Sequence, residues 1–445
     1  MALLTKAPRG TVDTLPSESY RLRKIENSLA DTAENYGFRE IRTPVFEHTE
    51  LFCRGMGDTT DVVQKEMYTF NDNGGRSVSL RPEGTAGTVR AFLEHGLFNE
   101  PLPQKYFYLT SCYRYEKPQA GRLREFHQFG VESLGTGSPA ADAEIISLAR
   151  NIFDFFELDD ISLEINSIGC PECRKNYHAA LLTYFNSKKS ELCETCLSRL
   201  ERNPMRILDC KSPICSQIAK DAPVVLDFLC EECDTHFTSV KKHLDAMNIE
   251  YKVNPRIVRG LDYYTKTVFE FVSSSIGAQG TVCGGGRYDG LIKELGGNAL
   301  PACGFGMGIE RLIMLMDAQG KAVFEESRPD LYIAPASPEY SYEAMRLIRE
   351  LRYEGVIALT DLGERSLKAQ MKYANKKNVI FTLVLGEDEI KTHIANVKNM
   401  DTGEISQVSL DDFTDDFMRV SINAALSGLV TDNFSDLTLI DGGKK

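Results

Sequence analysis

The stretch from Tyr106 to Glu132 constrains this chain more than any other. It reads Tyr-Phe-Tyr-Leu-Thr-Ser-Cys-Tyr-Arg-Tyr-Glu, then a connection holding Pro118 and Gly121, then Glu-Phe-His-Gln-Phe-Gly-Val-Glu. Two aromatic-rich runs of strand length, joined by a loop with Pro and Gly, predict an antiparallel hairpin with a long connection. Side chains alternate across a strand, so Gln128, Gly130 and Glu132 share one face and His127, Phe129 and Val131 the other. One face can pack on a core while the opposite one presents an amide, a bare backbone and a carboxylate. Arg114 and Glu116 end the first run, and Arg122 and Arg124 lead into the second. Guanidinium groups beside amide and carboxylate groups suit a ligand with both a phosphate and an ammonium. An ordinary solvated hairpin would carry similar charges, so the rest of the chain has to discriminate.

Upstream, Ser17 is placed to cap a helix with Leu22, Ile25, Leu29 and Ala33 at helical spacing, ended by Gly37. Phe38 to Phe46 reads as a strand, and Pro44, which has no ladder donor, puts it at an edge or bulge. Short strands from Met67 to Phe70 and from Val78 to Arg81 flank Asn73-Gly74-Gly75, a strong turn signal. Glu83 stands between Pro82 and Gly84 on backbone expected to be loop, where binding groups concentrate. Helical spacing resumes from Thr88 to His95. Ala140 to Leu158 reads as an apolar helix and Ser162 to Ile168 as a strand. Gly284-Gly285-Gly286 fits neither phosphate-loop pattern and instead lets strands and a ligand approach closely. Gly304, Gly306 and Gly308 precede a helix bearing Glu310 and Arg311, whose start favours phosphate.

The chain has 445 residues, enough for two or three domains, with 42% apolar and 26% charged residues. No apolar run approaches the roughly 18 residues of a membrane span, and the first residues lack the apolar core of a signal peptide. A cytosolic location is therefore expected, where cysteines are thiols or metal ligands rather than disulfides. Of 12 cysteines, eight fall in one segment as close pairs: Cys170/Cys173, Cys193/Cys196, Cys210/Cys215 and Cys230/Cys233. The pairs are compatible with one or two structural zinc ions or with buried free thiols. The net charge of −13 gives no global attraction to nucleic acid, so any RNA contact needs a local basic patch. From Arg328-Pro329 a new alternation of strands and helices predicts a small parallel-type sheet. There Arg365, Lys368, Lys372 and Lys376 are expected on one helix face, opposite Leu367, Met371 and Ala374. The stripe is either a solvated face or an RNA contact. These patterns divide the chain into residues 1–325, interrupted by a Cys-rich insertion at 169–234, a second domain at 329–415, and a tail at 416–445 with no functional reading.

Tyr113-Arg114-Tyr115-Glu116 with Gly121-Arg122-Leu123-Arg124-Glu125-Phe126 resembles motif 2 of the class II aminoacyl-tRNA synthetases. Arg259-Gly260-Leu261-Asp262-Tyr263-Tyr264 and Gly285-Gly286-Arg287-Tyr288-Asp289-Gly290-Leu291 resemble the histidine-specific segments of the histidyl-tRNA synthetase family. Gly304 to Leu312 resembles class II motif 3, and the likeness runs from about residue 8 to about residue 415. It implies an α+β catalytic domain built on an antiparallel sheet flanked by helices, an inserted domain that closes over the tRNA acceptor stem, and an α/β anticodon-binding domain. The region from Ser17 to Phe46 resembles motif 1, which implies a homodimer. The implied partners are L-histidine, histidine tRNA and ATP, with Mg²⁺ on the distal phosphates. The resemblance assigns the α-ammonium of histidine to Glu83, Thr85 and Gln128, and its imidazole to Glu132 and Tyr264, with Tyr288 lining the pocket. It gives ATP to Arg114, Glu116, Arg122, Gly304, Gly306 and Arg311, places Arg259 between carboxylate and α-phosphate, and gives tRNA to Arg365, Lys368 and Lys372. The rival readings are a regulatory paralogue that senses histidine without charging tRNA, and a class II synthetase for another amino acid. Retention of Arg114, Arg259, Arg311 and the second domain weighs against the first, and the 259–264 segment against the second.

Overall fold

The computed structural model describes residues 4–434 apart from 58, 59, 61, 209, 211, 258, 278, 279, 322, 323 and 325, so the start of the lead-in and the end of the expected tail lie outside the described residues. The chain divides into two compact units, Met1–Phe324 and Glu325–Lys445.

The first unit opens with α1 (Pro16–Asn35), whose Ile25, Leu29 and Ala33 are fully buried on one stripe. Pro16 sits in its first turn and Leu15 at the cap, so Ser17 is inside the helix and does not cap it. The strand expected from Phe38 to Phe46 is two short pieces, β1 (Arg39–Glu40) and β2 (Phe46–His48), separated around Pro44, which has no N–H for a ladder. Then come α2 (Thr49–Met56), β3 (Thr69–Asn71) and β4 (Ser77–Leu80), and β2, β4 and β3 form a small sheet in that order. α3 (Thr85–Glu94) starts three residues earlier than the sequence suggests. The cause is Glu83, whose carboxylate accepts from the Thr85 N–H (2.7 Å) and the Ala86 N–H (2.8 Å) and so caps the first turn.

The predicted hairpin is β5 (Gln104–Tyr113) and β6 (Glu125–Leu134), paired from Gln104↔Leu134 to Tyr113↔Glu125. After it run α4 (Pro139–Phe155) and β7 (Ser162–Ser167), then the insertion with α5 (Pro171–Asn186), α6 (Glu194–Arg202) and α7 (Pro213–Lys220). The chain returns through α8 (Glu231–Ala246) and β8 (Lys252–Val253) to β9 (Thr265–Val272), β10 (Thr281–Arg287), α9 (Leu291–Glu294), β11 (Ala302–Gly308) and α10 (Ile309–Ala318). Eight strands form one sheet in the order β1-β5-β6-β11-β10-β9-β7-β8, antiparallel from β5 to β7 with short parallel strands at each edge. One face of this sheet is the core. Phe129, Val131, Phe269, Phe271, Phe305 and Met307 bury there against Ile145, Leu148 and Ile152 of α4. Truncating a buried Phe at such a position costs about 3–5 kcal/mol, which fixes the register that the opposite face depends on. Phe237, Val240 and Leu244 of α8 join the same core, so the insertion ends near Cys230 rather than at 234. The insertion has its own core around Tyr177, Leu181, Phe185, Leu200 and Ile207.

The second unit holds β12 (Leu331–Pro335), α11 (Ser341–Tyr353), β13 (Ala358–Thr360), α12 (Leu367–Lys376), β14 (Phe381–Leu385), α13 (Glu387–Thr392), β15 (Ile394–Asn399), β16 (Ile405–Ser409) and α14 (Phe413–Phe434). Its sheet order is β13-β12-β14-β15-β16. The expected parallel sheet is only its first half, because β15 and β16 add an antiparallel hairpin. The expected tail boundary at 415/416 also fails, since it falls inside α14. Phe413 and Phe417 are fully packed against Phe381 and Val408 in the core of this unit.

Candidate active site

The face of the large sheet opposite the core carries a cleft of about 330 Å³. Its floor is a row of residues in register across five strands: Tyr108, Gly130, Gly306, Gly284 and Glu270. The glycines in the middle are what make room. A Cβ on Gly284 would stand 2.5 Å from the Arg259 guanidinium, and one on Gly130 would stand 2.3 Å from the Tyr108 ring. Arg259 therefore lies flat on the sheet, where any side chain at Gly284 would displace it.

At one end of the cleft stand Arg114, Glu116, Arg122 and Arg311. The Arg114 Nε donates to the Pro82 carbonyl (2.9 Å) and its guanidinium stacks over Phe126 at 5.2 Å. Arg311 donates to the Thr281 carbonyl (2.8 Å) and the Gly121 carbonyl (3.2 Å), which ties the hairpin connection to α10. Burial, with Arg122 and Arg114 adding repulsion, lowers the Arg311 pKa against the help of Glu116. Three guanidiniums held this close favour a polyanion. Beside them Glu310 accepts from both the backbone N–H and the ring Nδ1 of His127, which raises the imidazole pKa despite burial.

Deeper in the cleft, Glu83, Thr85, Gln128, Tyr263 and Tyr264 line the wall. Burial raises the Glu83 carboxyl, outweighing the amide bonds that cap α3. Glu132 and Tyr288 are not on the surface of this wall but directly behind it, each 1% exposed. The Glu132 carboxylate receives the Thr85 hydroxyl (2.7 Å), the Tyr108 hydroxyl (3.2 Å) and the Tyr288 hydroxyl. Burial pushes its pKa up to about 8, the hydroxyls only partly opposing it. Gly304 is likewise beneath the floor, because the Glu132 carboxylate occupies the space its side chain would take. Of the nucleotide set read from the sequence, Gly306 faces the cleft and Gly304 does not.

The Arg259 guanidinium is ion-paired to Glu270 and lies 5.4 Å from the Tyr264 ring centre. Burial works against its charge, but Tyr264 and Glu270 outweigh it and raise its pKa. Glu270 also accepts from the Thr281 hydroxyl (3.0 Å), so it is fixed on both sides. Sequence reasoning missed Glu270, Tyr108 and Tyr263. The signal for Glu270 was present, as one carboxylate in the apolar run Val268-Phe269-Glu270-Phe271. Arg287 was missed as a structural residue. It is fully buried, paired with Asp142, and also bonded to the Thr136 and Ser138 carbonyls, which pins the start of α4 to β10. Burial alone would raise Asp142, but His236 and Arg287 outweigh it and hold its carboxyl below the usual range.

The eight cysteines of the insertion gather as two groups of four, Cys170, Cys173, Cys230 and Cys233, and Cys193, Cys196, Cys210 and Cys215. In the second unit, Lys368 and Lys372 are exposed on α12. Arg365 does not share their helix face. It lies before the helix, paired with Asp361 and stacked on Tyr373 at 4.1 Å. Among the described residues, no helix is long and apolar enough to cross a membrane.

The family model described as histidyl-tRNA synthetase matches residues 10–312, and that of the anticodon binding domain matches residues 330–418. A histidine–tRNA ligase of Caldanaerobacter subterraneus subsp. tengcongensis is 54% identical over 92% of this chain and 98% of its own length. One from Clostridioides difficile is 50% identical over 94% of this chain and all of its own. The crystal structure of the apo histidyl-tRNA synthetase of S. aureus is 38% identical, covers 93% of this chain and 100% of its own, and superposes with a TM-score of 0.80. With the family model covering most of the chain and relatives this similar along nearly all of it, the chain belongs to the histidyl-tRNA synthetase family.

Proposed function

We infer that this chain attaches histidine to its tRNA in two steps. In the first, a carboxylate oxygen of histidine attacks the α-phosphorus of ATP, and the bond to the β,γ-phosphates breaks. Histidyl-adenylate forms and pyrophosphate leaves. In the second, a 3′-terminal ribose hydroxyl of the tRNA attacks the acyl carbon, and AMP leaves.

The observation that carries this reading is the Arg259 guanidinium, seated on the bare backbone of Gly284 in the one cleft that Arg114 and Arg311 share with Glu83, Thr85 and Tyr264. Two anions must meet there, and a fixed cation between them lowers the barrier. Arg114 is assigned to the α-phosphate, Arg311 to the γ-phosphate, and Arg122 and Glu116 to the rest of the nucleotide, with Gly306 as a flat floor for the base. ATP brings Mg²⁺ with its distal phosphates. Glu83, Thr85 and Gln128 receive the α-ammonium. Tyr264 and Glu132 recognise the imidazole, Glu132 from behind the wall through the network it shares with Thr85 and Tyr288. A ring with two polar nitrogens satisfies such a site, and an apolar side chain would leave it unpaired.

The same reading makes the second unit the reader of the anticodon, with Lys368 and Lys372 against the RNA backbone. It places the protein in the cytoplasm as a homodimer. Support for the dimer comes from the small sheet, where Phe46 of β2 and Phe70 of β3 are half exposed. The cysteines of the insertion are given a structural role as zinc ligands.

ATP–pyrophosphate exchange measured with each of the amino acids tests the core of the proposal. Exchange with histidine alone is expected. Exchange with a different amino acid, or none at all, overturns it.

A further inference from the structure

In each cysteine group the four sulfurs lie within 4.8 Å of one another. Cys170 and Cys173 are 3.6 Å apart, Cys170 and Cys230 4.0 Å, and Cys193 and Cys210 3.9 Å. A disulfide would bring sulfurs to about 2.05 Å. A tetrahedron with metal–sulfur bonds of about 2.3 Å has edges of roughly 3.8 Å. The spacing is that of four thiolates around one ion. A four-iron cluster needs its cysteines farther apart, at the outer corners of a cube.

The helices point the same way. Cys170, Cys193 and Cys230 stand at the positions just before α5, α6 and α8, and Cys173, Cys196 and Cys233 follow in the first turns. Cys215 lies in the first turn of α7. Each group therefore forms where two helices begin, α5 with α8 and α6 with α7, and helix starts favour thiolates. Backbone amides also reach the sulfurs. The Cys230 N–H donates to Cys173 Sγ (3.0 Å), the Cys193 N–H to Cys215 Sγ (3.3 Å) and the Ser212 N–H to Cys210 Sγ (3.5 Å). Thiols buried only for packing require none of these contacts.

The two groups sit at different places. The first is the neck, where the chain leaves β7 for the insertion and returns into α8. The second is inside the insertion, and its Cys196 and Cys210 bracket the turn Pro204–Ile207. From that turn Arg206 donates to the Gly260 carbonyl (3.2 Å) and to Asp262 Oδ1 (2.9 Å). From the neck, Arg174, next to Cys173, donates to the Tyr264 carbonyl (3.2 Å). Both arginines grip the segment that carries Arg259 and Tyr264 into the cleft.

We propose that the insertion holds two zinc ions, one per tetrathiolate group, and that they fix Arg174 and Arg206 as positioning residues for the 259–264 segment. The effect on catalysis rests on the charging reading, while the binding of two ions does not.

Elemental analysis of untagged, full-length protein prepared without chelator should find two zinc ions per chain. Cobalt substitution should give the spectrum of a tetrahedral tetrathiolate centre. The paired change Cys193→Ser with Cys196→Ser, and separately Cys170→Ser with Cys173→Ser, should each leave one ion. If those variants do not fold, the wild-type count decides. Zero or one zinc per wild-type chain overturns the proposal. The second link is read with Arg206→Ala, which should keep two zinc ions and lower the kcat of histidine-dependent exchange about tenfold, with the KM for ATP little changed. Arg206→Lys should recover part of the loss. Unchanged exchange in Arg206→Ala overturns the positioning role even with both ions present. A wild-type protein with two zinc ions and no histidine-dependent exchange would sink the charging reading and leave the metal sites standing.

Discussion

The cleft and the outer side of α12 both concentrate positive charge, but they are built in opposite ways. Arg114, Arg259 and Arg311 are largely buried, and each is bonded to a neighbour before any ligand arrives. Lys368 and Lys372 stand in solvent on a helix whose opposite side packs through Ala374 and Gln370. A buried, pre-oriented cation acts in low dielectric and needs little rearrangement when charge develops. An exposed one is screened by salt and shares its task with its neighbours. Single changes in the cleft should therefore be large and specific to one step, and changes on α12 modest and dependent on salt.

The largest effect is expected from Arg259→Ala. Removing one such electrostatic contact costs on the order of 10²–10³-fold in rate. Single-turnover formation of histidyl-adenylate should fall by that amount. Transfer from preformed adenylate to tRNA should fall far less, because the α-phosphate is by then part of the leaving group. Adenylation within a few-fold of wild type would break the contrast with α12.

Glu132→Gln comes next. Replacing the Glu132 carboxyl by an amide turns an acceptor of hydroxyl bonds into a donor inside a buried network, which costs about 1–3 kcal/mol, or roughly 5–150-fold in histidine affinity, with ATP binding little altered. Calorimetry with each ligand checks this, and unchanged histidine affinity would count against the role of Glu132. The same variant has a pH signature. The folded carboxyl titrates near 8, well above the usual carboxylate range, because of burial. Between about pH 4.5 and 8 the folded state keeps a proton that the unfolded state has lost, so its stability contribution falls as pH rises through that window. Gln does not titrate. The Tm difference between Glu132→Gln and wild type should shift in favour of the variant from pH 5 to pH 8 and then level off. A difference independent of pH would remove the raised pKa.

Glu270→Gln leaves Arg259 in place but weakens what holds it. About a tenfold loss in adenylation is expected, smaller than for Arg259→Ala because the cation itself remains. If the two losses were equal, Glu270 would have a direct role with substrate.

The contrast also explains what the sequence made legible. Period-two alternation placed Phe129 and Val131 in the core and Gln128 and Gly130 on the cleft face, because one buried face specifies register. The arginines of the cleft were recognisable from their segments. Depth was not. Glu132 and Gly304 share the cleft face of the sheet with Gln128 and Gly306, yet they lie below its floor, because Tyr108 of β5, Thr85 of α3 and Tyr288 just after β10 converge on Glu132. Such convergence is tertiary and leaves no local pattern. The division of eight cysteines into two groups has the same character, since Cys170 meets Cys230 only after the whole insertion has folded. The hairpin of β15 and β16 was a different kind of miss. Ala395-Asn396-Val397-Lys398 alternates apolar and polar residues, and Ala395 and Val397 are the ones that bury, but an exposed Ile394 and a buried Asn399 run against the pattern at its two ends.

The smallest effect belongs to the lysines of α12. Each neutralises about one phosphate at most, and an exposed contact of this kind is worth little alone. Reversing two charges, with Lys368→Glu and Lys372→Glu together, replaces attraction by repulsion over one turn of helix. The KM for tRNA should rise several-fold at low salt, and the difference from wild type should shrink as salt is added, because the Debye length falls from about 10 Å at 0.1 M to about 3 Å at 1 M. ATP–pyrophosphate exchange should not change, since α12 lies in the second compact unit and adenylation is assigned to the first. Arg365 should behave differently from the two lysines. It is already paired with Asp361 and stacked on Tyr373, so Arg365→Ala should lower the thermal stability of the second unit more than it raises the KM for tRNA. A tRNA effect from Arg365→Ala larger than from the double lysine change would mean that the RNA contact is centred at the start of α12 rather than along its exposed face. Loss of exchange in the lysine variant would mean instead that α12 supports the fold and makes no separate contact with RNA.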